Sequence, residues 1–329
     1  MSRSSACRQP SDAELFASLA RWQGDGDLCY LTAERLQAIA GTEGIDFATA
    51  LLYERLLRSP RHGPFIRLLD GLSAQGGPLS HRTVVIVPGA FYRESPHTGS
   101  DGWMPREEAA RLGCPVESIP LKSFGSLEEN SGILADHLLR RPPGPVVLVS
   151  LSKGGADVKV ALRRPDAAAA FAHVSWWIDL AGMSNGTPLA GWLLARPLRS
   201  LPMRGLFWWK GHDFAVVRQL DRSATGPLSV PVLLPPHMRA IHVMGFPRQR
   251  HLATPLSRRG HRRLRRLGPN DGAVLLGDLT RLPGLIYPVW GADHYLRPAG
   301  RDMRPLIGQI LHYVMTNRHD PSLPVANGT

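Results

Sequence analysis

The sequence predicts an α/β protein with a mostly parallel central sheet covered by helices on both faces. A helical segment precedes the sheet and a cap-like insertion lies over it. Three observations carry this expectation. Past residue 80, short apolar runs alternate with helical patterns, the signature of parallel strands joined by crossover helices. One of those runs, 146–150, breaks into a helix through a turn of small residues. The chain has 329 residues, 43% hydrophobic and 20% charged, which is enough apolar material for a large core and excludes a disordered class.

Taken in order, Ser11-Asp-Ala-Glu14 has the spacing of a capping box, and Leu15, Leu19 and Trp22 recur at helical intervals, so a helix is expected over about 12–22. Thr32 and Asp46 are placed as N-caps of two further helices. Residues 59–65 read as loop and 73–78, rich in glycine, as linker. Residues 1–75 are therefore expected as a helical N-terminal extension and 76–329 as the main α/β domain. Apolar runs at 83–87, 116–120, 146–150, 174–180, 240–244 and 285–289 predict six buried strands. Ser126-Leu-Glu-Glu129 is a second capping box, opening a helix that carries Ile133, Leu134 and Leu138 inward. From about 183 to 238 the alternation fails and Trp, Leu, Pro and Gly accumulate, which marks the insertion.

The formal net charge of +12 comes almost wholly from arginine, since the lysines are Lys122, Lys153, Lys159 and Lys210 alone. The densest basic stretch, 258–266, has no interleaved aromatic residues to stack on bases, which argues against nucleic acid. It could hold phosphate or meet an anionic membrane peripherally; the plainer reading is a charged, solvated helix face. Cys7, Cys29 and Cys114 form neither a disulfide framework nor a zinc pattern, so no metal is expected. The N-terminus lacks the apolar run of a secretory signal, and no stretch approaches the roughly 20 apolar residues of a membrane helix. A cytoplasmic location is the expectation.

Chemistry concentrates at the turn after 146–150. In a strand-to-helix elbow the nucleophile sits on a strained turn, so the residues two before and two after it must be small. Ser150 and Gly154 meet that requirement around Ser152, whereas a nucleophile at Ser150 would place Leu148 at a flanking position. The loop after the first run, Pro88-Gly-Ala-Phe91, can supply an oxyanion donor, leaving the amides of Ala90 and Lys153 as candidates with Phe91 as the substitute. Among the downstream histidines, His294 follows directly on a predicted strand and is the candidate base. For its carboxylate partner, Asp271 lies on a turn-rich loop and Asp179 near the end of a strand.

Together these segments resemble bacterial and eukaryotic lipases and related esterases of the α/β-hydrolase fold. The resemblance covers about residues 82–315. It rests on the order of Val87-Pro-Gly-Ala90, Ser150-Leu-Ser-Lys-Gly-Gly155, Gly268-Pro-Asn-Asp-Gly272 and Ala292-Asp-His294. A fifth segment, Leu180-Ala-Gly-Met-Ser-Asn-Gly186, is similar to the region after their sixth strand. That alignment puts Asp179 inside the strand and favours Asp271; in pancreatic-type lipases the acid follows the same strand, so Asp179 is the alternative. Pro88 and Ser150 depart from the family pattern.

The resemblance implies ester hydrolysis through Ser152, His294 and Asp271 by way of an acyl-enzyme, with no cofactor. Trp192, Phe207 and Trp208 of the insertion, with Phe91, are candidate linings for an apolar acyl chain on a small ester or lipid. Simple burial of the insertion explains them equally well. An acyltransferase using the same residues and a non-catalytic hydrolase-like binding protein are the rival readings. Oligomeric state is not legible.

Overall fold

In the computed structural model, residues 10–22, 27–73, 82–196, 201, 204, 205, 207, 209, 214–222, 225–298 and 300–317 are described. Six strands form one sheet: β1 (Thr83–Val87), β2 (Val116–Ser118), β3 (Val146–Leu151), β4 (Val174–Leu180), β5 (Arg239–Phe246) and β6 (Leu285–Trp290). Their order is β2-β1-β3-β4-β5-β6 and every neighbouring pair is parallel. All six expected runs contain strands; five are buried almost throughout, as a sheet covered on both faces requires, whereas the edge strand β2 is shorter than the expected 116–120 and half-buried to exposed, because it has a neighbour on one side only.

Strand side chains alternate between faces, so each strand feeds two cores. Val84, Ile86, Val147 and Val149 pack on one face against α4 (Gly63–Gly71), α5 (Trp103–Arg111) and the helix Arg304–Thr316. Val85, Val87 and Leu148 point the other way, toward α6 (Leu127–Arg140), α7 (Lys153–Ala161) and α8 (Ala167–Ala170).

This second layer is completed by the N-terminal residues. Helices α1 (Asp12–Arg21), α2 (Ala33–Thr42) and α3 (Ile45–Arg58) form one apolar cluster with Met244 and Phe246 of β5 and Ile286 of β6. Arg248, fully buried, ties α1 and α3 to the loop after β5 through Asp12 and Asp46. The free edge of β6 is also used: His62 Nδ1 accepts from the Ile286 amide at 3.2 Å and Arg61 donates to the Gly284 carbonyl at 2.8 Å. Capping an edge in this way denies it to another chain.

Local signals held where capping chemistry was complete. Ser11 and Glu14 form both halves of their capping box, and Thr32 caps α2 by accepting from the Arg35 amide. Three expectations are corrected. Asp46 is not an N-cap: Gly44 is, at φ 94°, and the Asp46 carboxylate is engaged by Arg248 and the Gln249 amide instead. The loop expected over 59–65 ends early, because Pro64 sits where a first helical turn has no use for its amide and α4 begins at Gly63. Ser126 caps α6, but Glu129 turns to Lys122 instead of closing the box. Helix α5 carries no amphipathic signal strong enough to announce it. Among the described residues no helix is long and apolar enough to cross a membrane.

Leu51 of α3 has no exposed surface and lies in the cluster shared with β5 and β6. Leu51→Ala is expected to cost about 2–5 kcal/mol in urea unfolding monitored by circular dichroism. Because that core is shared with the sheet, the loss should appear in a single transition.

Candidate active site

Strands β1 and β3 are neighbours, yet the chain leaves β1 for the edge strand β2 before returning to β3. The crevice at their carboxyl ends is therefore a switch point, where loops diverge and leave room for a ligand. The loop 88–91 and the elbow after β3 both open there.

At the elbow Ser152 takes φ 50° and ψ −116°, a conformation that side-chain-bearing residues rarely adopt. The neighbouring residues make this the available path. A Cβ on Gly154 would lie 2.5 Å from the Val87 carbonyl oxygen, and one on Gly155 2.5 Å from Asp179 Oδ1. Ser150, which departs from the family glycine, is fully buried and satisfied: it donates to Asp179 Oδ1 at 2.6 Å and accepts from Trp177 Nε1 at 2.8 Å. A small polar residue fits because the site behind it is polar.

His294 reaches the elbow from the loop after β6. Gly245 in β5 permits this approach, since a Cβ there would collide with the Ala292 and Asp293 carbonyl oxygens at 2.4 and 2.5 Å. The imidazole Nε2 lies 2.9 Å from Ser152 Oγ, and Nδ1 lies 2.9 Å from Asp271 Oδ2. Asp271 is fully buried; its other oxygen accepts from the Ala273 and Val274 amides, each at 2.8 Å. A further bond, from the His294 amide to the Asp271 carbonyl at 2.9 Å, locks the two loops together. The carboxylate thus selects the tautomer with hydrogen on Nδ1, leaving Nε2 to accept from Ser152.

Burial, the largest influence on His294, disfavours its imidazolium. The Asp271 charge and hydrogen bond oppose it, assisted by Asp293 and Asp179, and the net result lies above the ordinary histidine value of 6.5.

Gly89 sits against the elbow, with room for no side chain: a Cβ would be 2.9 Å from the Leu151 carbonyl oxygen. Its amide is used by Ser100 at 2.8 Å. Among the described residues neither the Ala90 nor the Lys153 amide donates to a protein acceptor. Phe91 follows at φ 59°, a second strained residue beside the first. The Lys153 side chain turns away and is buried against Asp157 at 2.7 Å, which anchors the first turn of α7. Burial, opposed by Lys153, pushes the Asp157 carboxyl up to about 6.

Asp179, the alternative acid, is occupied elsewhere. It accepts from Ser150, from Ser184 at 3.3 Å and from His242 Nδ1 at 3.2 Å. The other nitrogen of His242 lies 3.0 Å from the Pro283 carbonyl. This network was not visible in the sequence, because His242 and Ser184 are brought to Asp179 only by strand pairing and the loop after β4.

The aromatic candidates divide. Phe91 and Phe207 meet through Phe124, with ring centroids 3.8 and 4.6 Å from it, and Ala90 packs against the same cluster. Trp192, on α9 (Pro188–Leu194), lies in a different environment, under the Arg263 guanidinium at 3.8 Å. Trp208 lies outside the described residues. Phe124 was missed, since it falls in a loop with no periodic signal. Among the described residues no group of three or more His, Cys, Asp or Glu side chains is placed to hold a metal ion.

The parallel sheet, the elbow and the loops at its carboxyl edge define an α/β-hydrolase fold. A metagenomic carboxyl esterase, MGS0156, superposes with a TM-score of 0.54 at 18% identity, over 93% of this chain and 99% of its own. The mature lipase BlEst2 of Bacillus licheniformis is similar at 21% identity and TM-score 0.48, over 74% of this chain and 94% of its own. The carboxylesterase CesB of Bacillus subtilis matches at 13% identity and TM-score 0.37, over 73% and 84% respectively. No protein-family model matches the sequence, and a search of curated proteins finds no match.

Two outcomes follow from this geometry. In NMR titration the His294 ring should change charge above pH 6.5, and Asp271→Asn should move that midpoint downward by removing the main influence that raises it. A raised value stabilises the fold fully below the unfolded midpoint, and that contribution is lost as pH climbs through the folded one. Gly154→Ala should cost about 1–3 kcal/mol in urea unfolding, because its Cβ meets backbone that cannot rotate away.

Proposed function

We propose that the protein is a serine hydrolase of carboxylic esters with an apolar acyl group. The observation that carries this reading is the unbroken chain from Ser152 Oγ through His294 to the buried Asp271, with both bonds at 2.9 Å and the serine on a strained elbow. The shared fold with a carboxyl esterase agrees with it.

The steps follow from the donors and acceptors. As Ser152 Oγ attacks the ester carbonyl carbon, its proton passes to His294 Nε2, and Asp271 stabilises the resulting imidazolium. The carbonyl oxygen gains a negative charge, for which the Ala90 and Lys153 amides, neither used by a protein acceptor among the described residues, are the donors in this reading. Collapse breaks the ester C–O bond, and His294 returns the proton to the leaving alcohol. Water then attacks the acyl-enzyme, giving a proton to His294, and the acid departs as the serine is restored. The Phe91, Phe124 and Phe207 cluster beside Ala90 offers the acyl chain an apolar wall. Phe91, about two-fifths exposed, is the part of that wall open to solvent.

Labelling with a fluorophosphonate should modify the protein and fail on Ser152→Ala, with the fold of the variant checked by circular dichroism. Hydrolysis of nitrophenyl esters should fall by about 10⁶-fold in Ser152→Ala and about 10⁴-fold in Asp271→Asn. Labelling that persists in Ser152→Ala would exclude the assignment.

A further inference from the structure

A second candidate site stands apart from the hydrolytic machinery and does not depend on it. The helix Pro255–Leu264 carries most of the basic run noted in the sequence. Between it and residues 249–250 lies a cavity of about 320 Å³, lined by Gln249, Arg250, Arg258, His261, Arg262 and Arg265. Four arginines line it.

Electrostatic neutralisation is incomplete. Arg250 is paired with Asp12, whose carboxylate also holds Arg248. Arg258 donates to the Leu252 carbonyl at 2.7 Å, which satisfies one N–H and leaves its charge unopposed. Among the described residues, Arg258, Arg262 and Arg265 have no carboxylate partner. A solvated helix face explains exposed arginines, but it does not explain the wall behind them. His261 is 2% exposed, and its buried Nε2 has no hydrogen-bond partner. A buried nitrogen left without a partner is destabilising. Burial holds this ring below the ordinary histidine range, so near neutrality it adds no charge to the arginines beside it.

We infer that this cavity binds a phosphate-bearing anion, held by Arg258, Arg262 and Arg265 against a wall that includes His261. A guanidinium presents paired N–H groups that match two phosphate oxygens, and three such cations exceed what a single carboxylate can neutralise. The phosphate can belong to a soluble molecule or to a lipid headgroup, since both present the same oxygens. The site backs onto the acid loop: a Cβ on Gly260 of the same helix would overlap the Gly272 carbonyl oxygen.

The test is calorimetric titration of the full chain with inorganic pyrophosphate at constant ionic strength. It is run beside sedimentation with vesicles of phosphatidic acid in phosphatidylcholine. The reference variants are Arg262→Gln/Arg265→Gln and a charge-matched control, Arg21→Gln/Arg67→Gln. All four arginines are exposed, and unchanged thermal unfolding without ligand verifies the fold. Saturable pyrophosphate binding, weakened about tenfold or more in the first variant and not in the control, supports a soluble phosphate ligand. Vesicle binding with the same variant dependence, in the absence of pyrophosphate binding, supports a headgroup. In the unmodified chain the His261 ring resonances should move with the bound fraction. Absence of both kinds of binding overturns the inference. So does equal weakening in the charge-matched control, or binding that leaves the His261 resonances in place.

Discussion

Ser152 holds a backbone conformation that costs of the order of 1–3 kcal/mol, and it persists because the elements around it leave no relaxed alternative. Gly154 lies against the β1 carbonyls and Gly155 against Asp179, so the first turn of α7 has one place to go. Gly89 presses the neighbouring loop onto the same elbow. The serine hydroxyl is thereby presented at the carboxyl edge of the sheet, in the crevice between two diverging loops. Everything else at the site is arranged with respect to that point.

Behind it lies a set of buried polar groups, each with a partner. Asp179 is surrounded by Ser150, Ser184 and His242, and Lys153 by Asp157. Breaking a buried charged pair is far more costly than making it is beneficial, so such groups hold their neighbours in place more than they add to stability. Asp179 lies directly under the elbow and Asp157 one turn into the helix that leaves it. The acid loop is secured from the insertion as well, where Thr187 donates to the Ala273 carbonyl. Asp271 and His294, carried on separate loops, meet because both are fixed to this framework.

The N-terminal helices belong to the same physical picture. The faces of β5 and β6 that carry Met244, Phe246 and Ile286 are covered by α1–α3, which a reading along the chain separates from the sheet. Arg248 then joins two of those helices to the loop beyond β5, close to the arginine-rich helix. The hydrolase-like edge and the arginine-lined cavity are thus parts of one packed body.

The sequence by itself determined the five buried strands, because a doubly covered parallel strand must be apolar throughout and that signal survives in one dimension; the short edge strand β2 carries it less fully. It also determined the helices whose caps are local, at Ser11, Thr32 and Ser126, and the elbow, whose small residues are dictated by backbone collision. The candidate trio of Ser152, Asp271 and His294 was legible from order and loop context. Tertiary structure alone decided which carboxylate faces His294. Asp271 lies on a turn-rich loop and Asp179 near a strand end, and only the positions of Ser184 and of His242, which is remote in sequence, show that Asp179 is engaged elsewhere. It likewise decided that Asp46 serves Arg248 and not a helix cap, that Phe91 and Phe207 share a cluster while Trp192 does not, and that a run of arginines encloses a cavity. Each of these depends on groups distant along the chain, and local spacing carries no record of such meetings.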